Sequence, residues 1–166
     1  KGIARKKGAT IFSYHVNNPE EFGVIEFDDD KVLSIEEKPK KPKSNHAVTG
    51  LYFYDEHASE IASNILPSPR GELEITDVNI VYMKQEKLFA EVLDRGYTWM
   101  DAGTVESFLE ASLFVKSIEQ QNDIKISCPE EIAFNSKWIN EDKVKIIAED
   151  LSSSPYSDYL FNILKN

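Results

Sequence analysis

The sequence predicts an α/β fold, and three observations lead to that prediction. Residues 9–16 and 47–54 are nearly continuous apolar runs, which are typical of strands covered on both faces. Between residues 105 and 120 the apolar side chains recur at helical spacing and form one stripe. The chain has 166 residues, of which 41% are hydrophobic, and this is enough for one domain with its own core.

Residues 24–27 and 32–37 are predicted to form a β-hairpin. Polar and apolar side chains alternate in both arms, and the turn between them reads Asp28-Asp29-Asp30. Gly23 stands immediately before the first arm. A glycine there either lets a ligand approach the backbone or simply permits a turn.

The second arm of this hairpin ends in the pair Glu37 and Lys38. Leu33, Ile35 and Glu37 fall on one face of an extended strand, so Glu37 is predicted to point inward, where its carboxylate needs donors. Lys38 points the opposite way, and the proline after it favours an extended backbone for Lys38 and ends the strand. The alternative is that residues 36–43 form a solvated charged turn.

Beyond the hairpin, turn residues and apolar periodicity predict the remaining elements. Gly50, within the strand 47–54, indicates the close approach of another group, which could be a packing helix or a sugar. A helix is predicted over 56–65, and a second helix follows Arg70-Gly71 with Leu73, Thr76, Ile80 and Val81 on one face. Strands are predicted over 88–93 and 97–100, and Asp101 stands at the end of the second strand. A helix capped by Thr104 is predicted over 105–120, and further helices are predicted from Pro129 onward.

Charge and cysteine content restrict the class of protein. The formal net charge is −10, and residues 1–50 carry nine Lys and Arg against eight Asp and Glu, so the excess negative charge lies in residues 51–166. Such a surface repels phosphate backbones, which argues against a nucleic acid polymer as partner. With a single cysteine, Cys128, no signal-peptide pattern and no long apolar run, a cytoplasmic protein without a membrane partner is expected.

Five blocks of sequence stand out along nearly the whole chain. They are G-A-T-I-F-S-Y-H-V at 8–16, E-E-K-P with P-K-S-N-x-A-V-T-G-L-Y-F-Y-D at 36–55, R-G-E-L-E-I-T-D at 70–77, G-Y-T-W-M-D-A-G-T at 96–104 and C-P-E-E-I-A-F at 128–134. Together they resemble the sugar nucleotidyltransferases, and within them the thymidylyltransferases that act on glucose 1-phosphate. The resemblance implies a Rossmann-like mixed sheet with flanking helices and a helical C-terminal tail.

The resemblance also implies a reaction and two catalytic cations. In the family, the phosphate of glucose 1-phosphate attacks the α-phosphorus of dTTP, and dTDP-glucose and pyrophosphate are formed for deoxysugar pathways such as dTDP-rhamnose synthesis. By matching motif positions, Lys38 would neutralise phosphate oxygens at the reacting centre, and Arg70 would hold the sugar phosphate. From the residues alone, Arg70 could equally be a surface arginine.

Further positions of the family motifs imply a sugar pocket. Glu37 would accept hydrogen bonds from glucose hydroxyls, with backbone contacts at Gly23 and Val48. Tyr52 and Trp99 would shape the pocket around the sugar.

One further motif position implies a metal site. Asp101 would be one of two carboxylates that bind Mg²⁺, although a carboxylate at that position could instead be a structural helix cap.

The last block resembles a feedback site for the nucleotide-sugar product. It would involve Ser127, Glu131 and Ile132. Two departures from the family pattern matter: the chain reads W-M-D-A-G-T where the family has W-L-D-T-G-T, which removes a hydroxyl beside Asp101, and Asn135 stands where an Arg is common. Weaker product inhibition is therefore expected.

The family also has an N-terminal half with a glycine-rich nucleotide loop, and no G-G-x-G-T-R or G-D-N block occurs here. Residues 1–8 have no initiator Met and end in clustered cations before a glycine, as the last turn of a helix does. Residues 1–126 are therefore expected to be the sugar-phosphate-binding portion of a longer enzyme, and residues 127–166 its C-terminal helical segment. The chain alone is expected to be inactive and to self-associate through exposed strand edges and apolar helix faces, as a homo-oligomer related to the family tetramer.

Two alternatives to this function stay open. The enzyme could use another nucleotide or another sugar, because the residues that read the base belong to the family's N-terminal half. The chain could also be a stand-alone module that binds sugar phosphates or promotes assembly.

Overall fold

The computed structural model describes residue 5, residues 7–69 and residues 71–165. The chain divides into two units, Lys1–Trp99 and Met100–Asn166. The strands are β1 (Ala9–His15), β2 (Gly23–Asp28), β3 (Lys31–Glu37), β4 (His46–Tyr54) and β5 (Leu88–Val92), with a short 3-10 helix at Pro19–Glu21. The helices are α1 (Ala58–Asn64), α2 (Ile75–Lys84), α3 (Val105–Asn122), α4 (Pro129–Asn135), α5 (Glu141–Asp150) and α6 (Pro155–Ile163).

The five strands of the first unit form a mixed sheet that closes on itself in the order β1-β4-β2-β3-β5. β1 and β5 are parallel, and the other neighbours are antiparallel. Two joints are narrow: Val24 pairs with Ala47 between β2 and β4, and Lys31 pairs with Phe89 between β3 and β5. The predicted α/β fold is confirmed. Each described strand has a neighbour on both sides, but these two joints leave most of the facing edges unpaired, so the expected self-association stays a prediction.

The core of the first unit lies between the sheet and α2. Buried side chains of Ile11, Ile25 and Leu88 come from the sheet and meet Val78 and Tyr82 of α2. The predicted apolar face of the second helix is only partly correct. Leu73 precedes α2 and is exposed, and the buried residues of α2 are Thr76, Val78, Asn79 and Tyr82.

The predicted hairpin of β2 and β3 is confirmed, but it contains a bulge. Ser34 pairs with Glu26 and Val32 pairs with Phe27, so Leu33 has no place in the ladder. Leu33 is therefore 58% exposed, whereas Val32 is buried. A bulge interrupts the period of two, which is why the predicted face holds from Ile35 onward and fails at Leu33.

β4 also departs from its prediction, since it is not buried on both faces. Leu51 is 50% exposed, and Phe53 is exposed as well. The pairing with β1 shifts between Ile11 and Ser13, which lie opposite Tyr52 and Val48, so three residues of β4 lie opposite one of β1.

Gly50 lies in this irregular segment with φ of +80°, and a Cβ added there would meet nothing within 4 Å. The glycine therefore serves a left-handed backbone; the predicted close approach is wrong for a packing helix and stays a prediction for a sugar.

Arg5 contacts the sheet through its side chain. Its guanidinium forms an ion pair with Asp30, donates a 2.8 Å hydrogen bond to Glu91 and lies 4.6 Å from the ring centroid of Phe89. The helix end predicted over residues 1–8 falls largely outside the described residues, since residues 1–4 and 6 are not among them.

The second unit contains α3–α6. α3 begins as predicted, because Thr104 accepts a hydrogen bond from the amide of Ser107 and Ser107 accepts one from the amide of Thr104. The core of the unit consists of Cys128, Val144, Ala148 and Leu160. The boundary between the two units lies between Trp99 and Met100, so α3 belongs to the second unit. The predicted division into a sugar-phosphate-binding portion up to residue 126 and a C-terminal segment concerns function and stays a prediction.

Across the described part of the chain, no helix combines the length and the apolar content that a membrane span requires.

Candidate functional site

Glu37 is the last residue of β3 and pairs with Gly23, the first residue of β2. Its side chain is half-buried, and Oε2 accepts a 2.7 Å hydrogen bond from the hydroxyl of Thr76. Thr76 lies in the first turn of α2 and is 5% exposed. The inward direction predicted for Glu37 is confirmed. Its donor was not predicted, although a threonine on the apolar face of a helix is a signal for a buried hydrogen bond.

Gly23 brings its backbone close to this carboxylate, at a position where a side chain would crowd it. A Cβ added at Gly23 would lie 3.2 Å from Glu37 Oε2, 3.6 Å from Thr76 Oγ1 and 3.8 Å from Val48 Cγ2. The backbone of Gly23 does not adopt a positive φ, so the turn explanation does not account for this glycine. Gly23, Glu37 and Val48, which the family resemblance assigned to one site, therefore converge at one end of the sheet.

Tyr52 lies close enough to Glu37 to be affected by its charge. Burial raises the pKa of the Tyr52 phenol, and the negative charge of Glu37 raises this pKa further. The ring stacks on Tyr54 with 5.6 Å between the centroids. The phenol therefore stays protonated at neutral pH and can donate a hydrogen bond.

Lys38 follows with an unusual backbone. Its φ is +44°, and its amide donates a 3.0 Å hydrogen bond to the carbonyl of Phe22. The extended conformation predicted from Pro39 is therefore wrong, because the bond to Phe22 holds Lys38 in the left-handed region. The strand does end at Glu37 as predicted, and the Lys38 side chain is exposed.

The rest of the charged run behaves differently from Glu37. The ammonium of Lys43 lies 2.7 Å from Glu36 and 3.8 Å from Glu26. The hydrogen bond to Glu36 raises the pKa of Lys43. The solvated-turn alternative thus describes Glu36 and Lys43, whereas it fails for Glu37.

Trp99 lies at the same end of the sheet, although no strand forms there. The predicted strand over 97–100 is wrong, and this segment has no regular structure. The indole Nε1 of Trp99 donates a 3.1 Å hydrogen bond to the carbonyl of Thr49 in the irregular part of β4. Its ring packs against Phe22 at 5.1 Å between centroids, so Trp99 contacts the residue that binds the Lys38 amide.

A cleft of about 560 Å³ lies beside Glu37. Glu37, Thr76 and Glu74 line it together with the segment 66–69. Arg70, the predicted phosphate-binding residue, lies outside the described residues. The described residues that precede it, including Pro69, line the cleft beside Glu37.

Asp101 belongs to the second unit and precedes α3. Its Oδ2 accepts a 3.2 Å hydrogen bond from the amide of Gly103, and the cap of α3 is Thr104. Asp101 therefore shapes the turn before the helix without being the cap itself. No cluster of three or more potential metal ligands occurs among the described residues. One carboxylate fits Mg²⁺ only where substrate phosphates and water supply most ligands.

The predicted regulatory residues surround the start of α4. Ser127 has a φ of +57°, and Ile132 is 54% exposed. Glu131 accepts a 2.7 Å hydrogen bond from the hydroxyl of Tyr159 in α6. Glu131 thus has a structural contact within the helical unit, and a regulatory role of these residues stays a prediction.

The sequence is similar to a known family and to curated relatives. Residues 2–118 match the family model described as nucleotidyl transferase. A glucose-1-phosphate thymidylyltransferase of Xanthomonas campestris is 50% identical over 163 residues, which are 98% of this chain and 55% of the relative. One of Neisseria meningitidis is 46% identical over 166 residues, 99% of this chain and 58% of the relative. The chain therefore spans about half the length of the curated relatives it matches.

Solved structures show the same similarity. A Bacillus anthracis structure, described as a glucose-1-phosphate thymidylyltransferase in complex with sucrose, is 42% identical with a TM-score of 0.59, covering 68% of this chain and 45% of that chain. A UDP-glucose pyrophosphorylase complexed with UDP-glucose is 26% identical with a TM-score of 0.58, covering 66% and 44%.

Proposed function

Because the chain belongs to the nucleotidyl transferase family, we propose that it supplies the glucose 1-phosphate side of a glucose-1-phosphate thymidylyltransferase. In this reaction the sugar phosphate attacks the α-phosphorus of dTTP, which gives dTDP-glucose and pyrophosphate. The observation that carries the proposal is the convergence of Glu37, Gly23, Val48 and Tyr52 at one end of the sheet.

The chemistry of this convergence suits a sugar. The carboxylate of Glu37 accepts hydrogen bonds from sugar hydroxyls, and bonds to an ionised acceptor are stronger than neutral ones. The protonated phenol of Tyr52 adds a donor beside this acceptor. Because Gly23 has no side chain, its backbone lies close to the Glu37 carboxylate, and the indole of Trp99 would offer an apolar face to the sugar ring.

The proposed charge chemistry uses cations, because two anions must approach each other. Lys38 would neutralise phosphate oxygens at the reacting centre, and Arg70 would hold the sugar phosphate. Asp101 would supply one carboxylate to Mg²⁺, and the metal when bound would add positive charge to the phosphates. A water-excluding site would strengthen each of these interactions.

The nucleotide is the finer part of the proposal. Identities of 46% and 50% with thymidylyltransferases favour dTTP. The structural similarity to a UDP-glucose pyrophosphorylase favours UTP as the second candidate.

Three further expectations stay predictions: a product-feedback site at Ser127, Glu131 and Ile132, a homo-oligomeric state and a cytoplasmic location. Sedimentation of the purified chain would test the oligomeric state.

Isothermal titration of the chain with glucose 1-phosphate tests the sugar side. Glu37→Gln should weaken binding by about tenfold or more, as loss of a charged hydrogen-bond acceptor does. Glu36→Gln is the matched control, because Glu36 is the neighbouring carboxylate and pairs with Lys43. Failure of the wild-type chain to prefer glucose 1-phosphate over inorganic phosphate would contradict the proposal.

The nucleotide is tested separately on the complete gene product. Its rate of nucleotide-sugar formation should be higher with dTTP than with UTP, and the 166-residue chain alone should form none. A preference for UTP would establish the second candidate. Formation of dTDP-glucose by the isolated chain would contradict the expectation that it is inactive.

A further inference from the structure

Thr76 carries a buried hydroxyl that the proposed chemistry does not use directly. The residue is 5% exposed and lies in the first turn of α2. It is one of the buried residues of this helix, together with Val78, Asn79 and Tyr82. A buried hydroxyl without a partner destabilises a protein, so its hydrogen bond has to be accounted for. Its partner is the carboxylate of Glu37, at 2.7 Å from Oγ1 to Oε2.

This bond joins two elements that are far apart in sequence. Glu37 is the last residue of β3, and Thr76 lies 39 residues later in α2. A glutamate at a strand end has three side-chain torsions, and a free one samples several rotamers. A bond from a buried, β-branched residue with a restricted χ1 removes most of that freedom.

The surroundings of the bond restrict the carboxylate further. Gly23 lies opposite Glu37, where a Cβ would be 3.2 Å from the same Oε2 that Thr76 binds. Tyr52 lies close enough for the charge of Glu37 to raise its pKa. With Oε2 already accepting the bond from Thr76, Oε1 has both of its lone pairs available to accept hydrogen bonds from a ligand.

From this geometry we propose that Thr76 is a positioning residue for Glu37, which fixes the carboxylate for a sugar hydroxyl. The inference rests on the proposed function, in which Glu37 binds the sugar of glucose 1-phosphate. The hydroxyl carries this role because it makes the bond to Glu37, and valine, which has nearly the same shape as threonine, removes only that group. A purely structural threonine would affect stability and leave ligand selectivity unchanged.

Three variants of the full chain separate these roles. Thr76→Val removes the hydroxyl and keeps the shape, Thr76→Ser keeps the hydroxyl, and Thr10→Val removes a second buried hydroxyl of the same unit, which contacts Arg5. Titrations with glucose 1-phosphate and with inorganic phosphate give two dissociation constants for each variant. Three-bond NMR couplings of Glu37 report its rotamers without any ligand.

Thr76→Val should weaken glucose 1-phosphate binding by about tenfold and change phosphate binding by less than about twofold, as expected for one charge-assisted hydrogen bond. Thr76→Ser should restore most of the affinity, and Thr10→Val should leave both constants unchanged. The Glu37 couplings should indicate one rotamer in the wild type and an average of several in Thr76→Val.

The inference is overturned if Thr76→Val binds glucose 1-phosphate as the wild type does, if it weakens both ligands equally, or if Glu37 keeps one rotamer in it. These results differ from a failure of the proposed function. If the proposed function failed, the wild type itself would not prefer glucose 1-phosphate over phosphate, or Glu37→Gln would bind glucose 1-phosphate as the wild type does. The NMR couplings of Glu37 would still test the contact between Thr76 and Glu37.

Discussion

The amide of Lys38 donates a 3.0 Å hydrogen bond to the carbonyl of Phe22 while the Lys38 backbone is left-handed, with φ of +44°. This bond ties the residue after β3 to the residue before Gly23, so it closes the end of the hairpin where the sugar pocket is proposed. A left-handed backbone costs a non-glycine residue roughly 1–2 kcal/mol. Backbone strain of this kind is concentrated at functional sites.

The strain at Lys38 predicts an unusual order of stability among variants. Lys38→Gly should be more stable than Lys38→Ala by about 1 kcal/mol, because glycine adopts positive φ without a steric penalty. Both variants lack the ammonium group, so the comparison isolates the backbone. Urea unfolding of the two proteins measures the difference. If alanine proved equally or more stable, Lys38 would not be left-handed in solution.

Gly23→Ala should impair ligand binding more than stability. The added methyl would lie 3.2 Å from Glu37 Oε2, and the carboxylate would have to move away from its bond with Thr76. We expect glucose 1-phosphate affinity to fall by about tenfold, the loss typical of one hydrogen bond to a charged group, with a change in melting temperature of a few degrees. Titration and thermal unfolding of the same sample test both parts.

Gly50→Ala is the matched control for this prediction and should show the opposite pattern. Gly50 has a φ of +80°, and its added methyl would meet nothing within 4 Å. Alanine there should lower stability by about 1 kcal/mol through backbone strain and leave affinity unchanged. Similar behaviour of the two variants would mean that the close contact at Gly23 is not specific to the site.

Local pattern was enough to predict Glu37 but not its surroundings. The inward direction of Glu37 follows from the period of two that starts at Ile35, and the start of α3 follows from Thr104, because both depend on residues close in sequence. The bulges at Leu33 and near Gly50 depend on which strand pairs with which and in what register. This pairing cannot be predicted from the local pattern of a single sequence.

The errors at residues 97–100 and at Thr76 have a related cause. Residues 97–100 are predicted to form a strand, yet Trp99 is held by the carbonyl of Thr49 and the ring of Phe22, which are distant in sequence. Thr76 looked like one member of an apolar face, and only the contact with β3 reveals its partner. The resemblance to a family predicted which residues belong to the site. The arrangement of these residues became clear only from contacts between residues that are distant in sequence.

The helical unit should lose stability in acid through Glu130. The hydroxyl of Tyr156 donates a 2.6 Å hydrogen bond to Glu130 and lowers the pKa of that carboxyl below its ordinary value of 4.5. A carboxyl with a lower pKa in the folded state adds stability above its unfolded pKa, and that stability is lost as the pH falls through the folded pKa. The stability contributed by this pair should therefore decrease on acidification from about pH 5 downward.

Tyr156→Phe tests this link, because it removes the hydroxyl and keeps the ring. Its free energy of unfolding should depend less steeply on pH between about pH 5 and about pH 3 than that of the wild type. In a Glu130→Gln background the same substitution should leave the slope unchanged, since the two residues act as one pair. An equal change of slope in both backgrounds would assign the acid sensitivity to another group.

The two cations assigned to phosphate oxygens should differ in their kinetic effects in the complete gene product. Lys38 would lie beside the reacting centre, where charge on the transferred phosphoryl group is rearranged, whereas Arg70 would hold the sugar phosphate equally in ground state and transition state. Interactions that are stronger in the transition state raise kcat, and those made equally in both states lower KM. Lys38→Ala should therefore reduce kcat by about 10²- to 10³-fold, as loss of one charge-stabilising donor does, and Arg70→Ala should mainly raise the KM for glucose 1-phosphate. Lys38→Gly should be as inactive as Lys38→Ala despite its greater stability, which separates the ammonium group from the backbone strain. Steady-state kinetics with both substrates varied measure these effects. If Lys38→Ala changes only KM or retains full activity, the catalytic assignment of Lys38 is wrong. Lys38 would then belong to the solvated turn with Glu36 and Lys43.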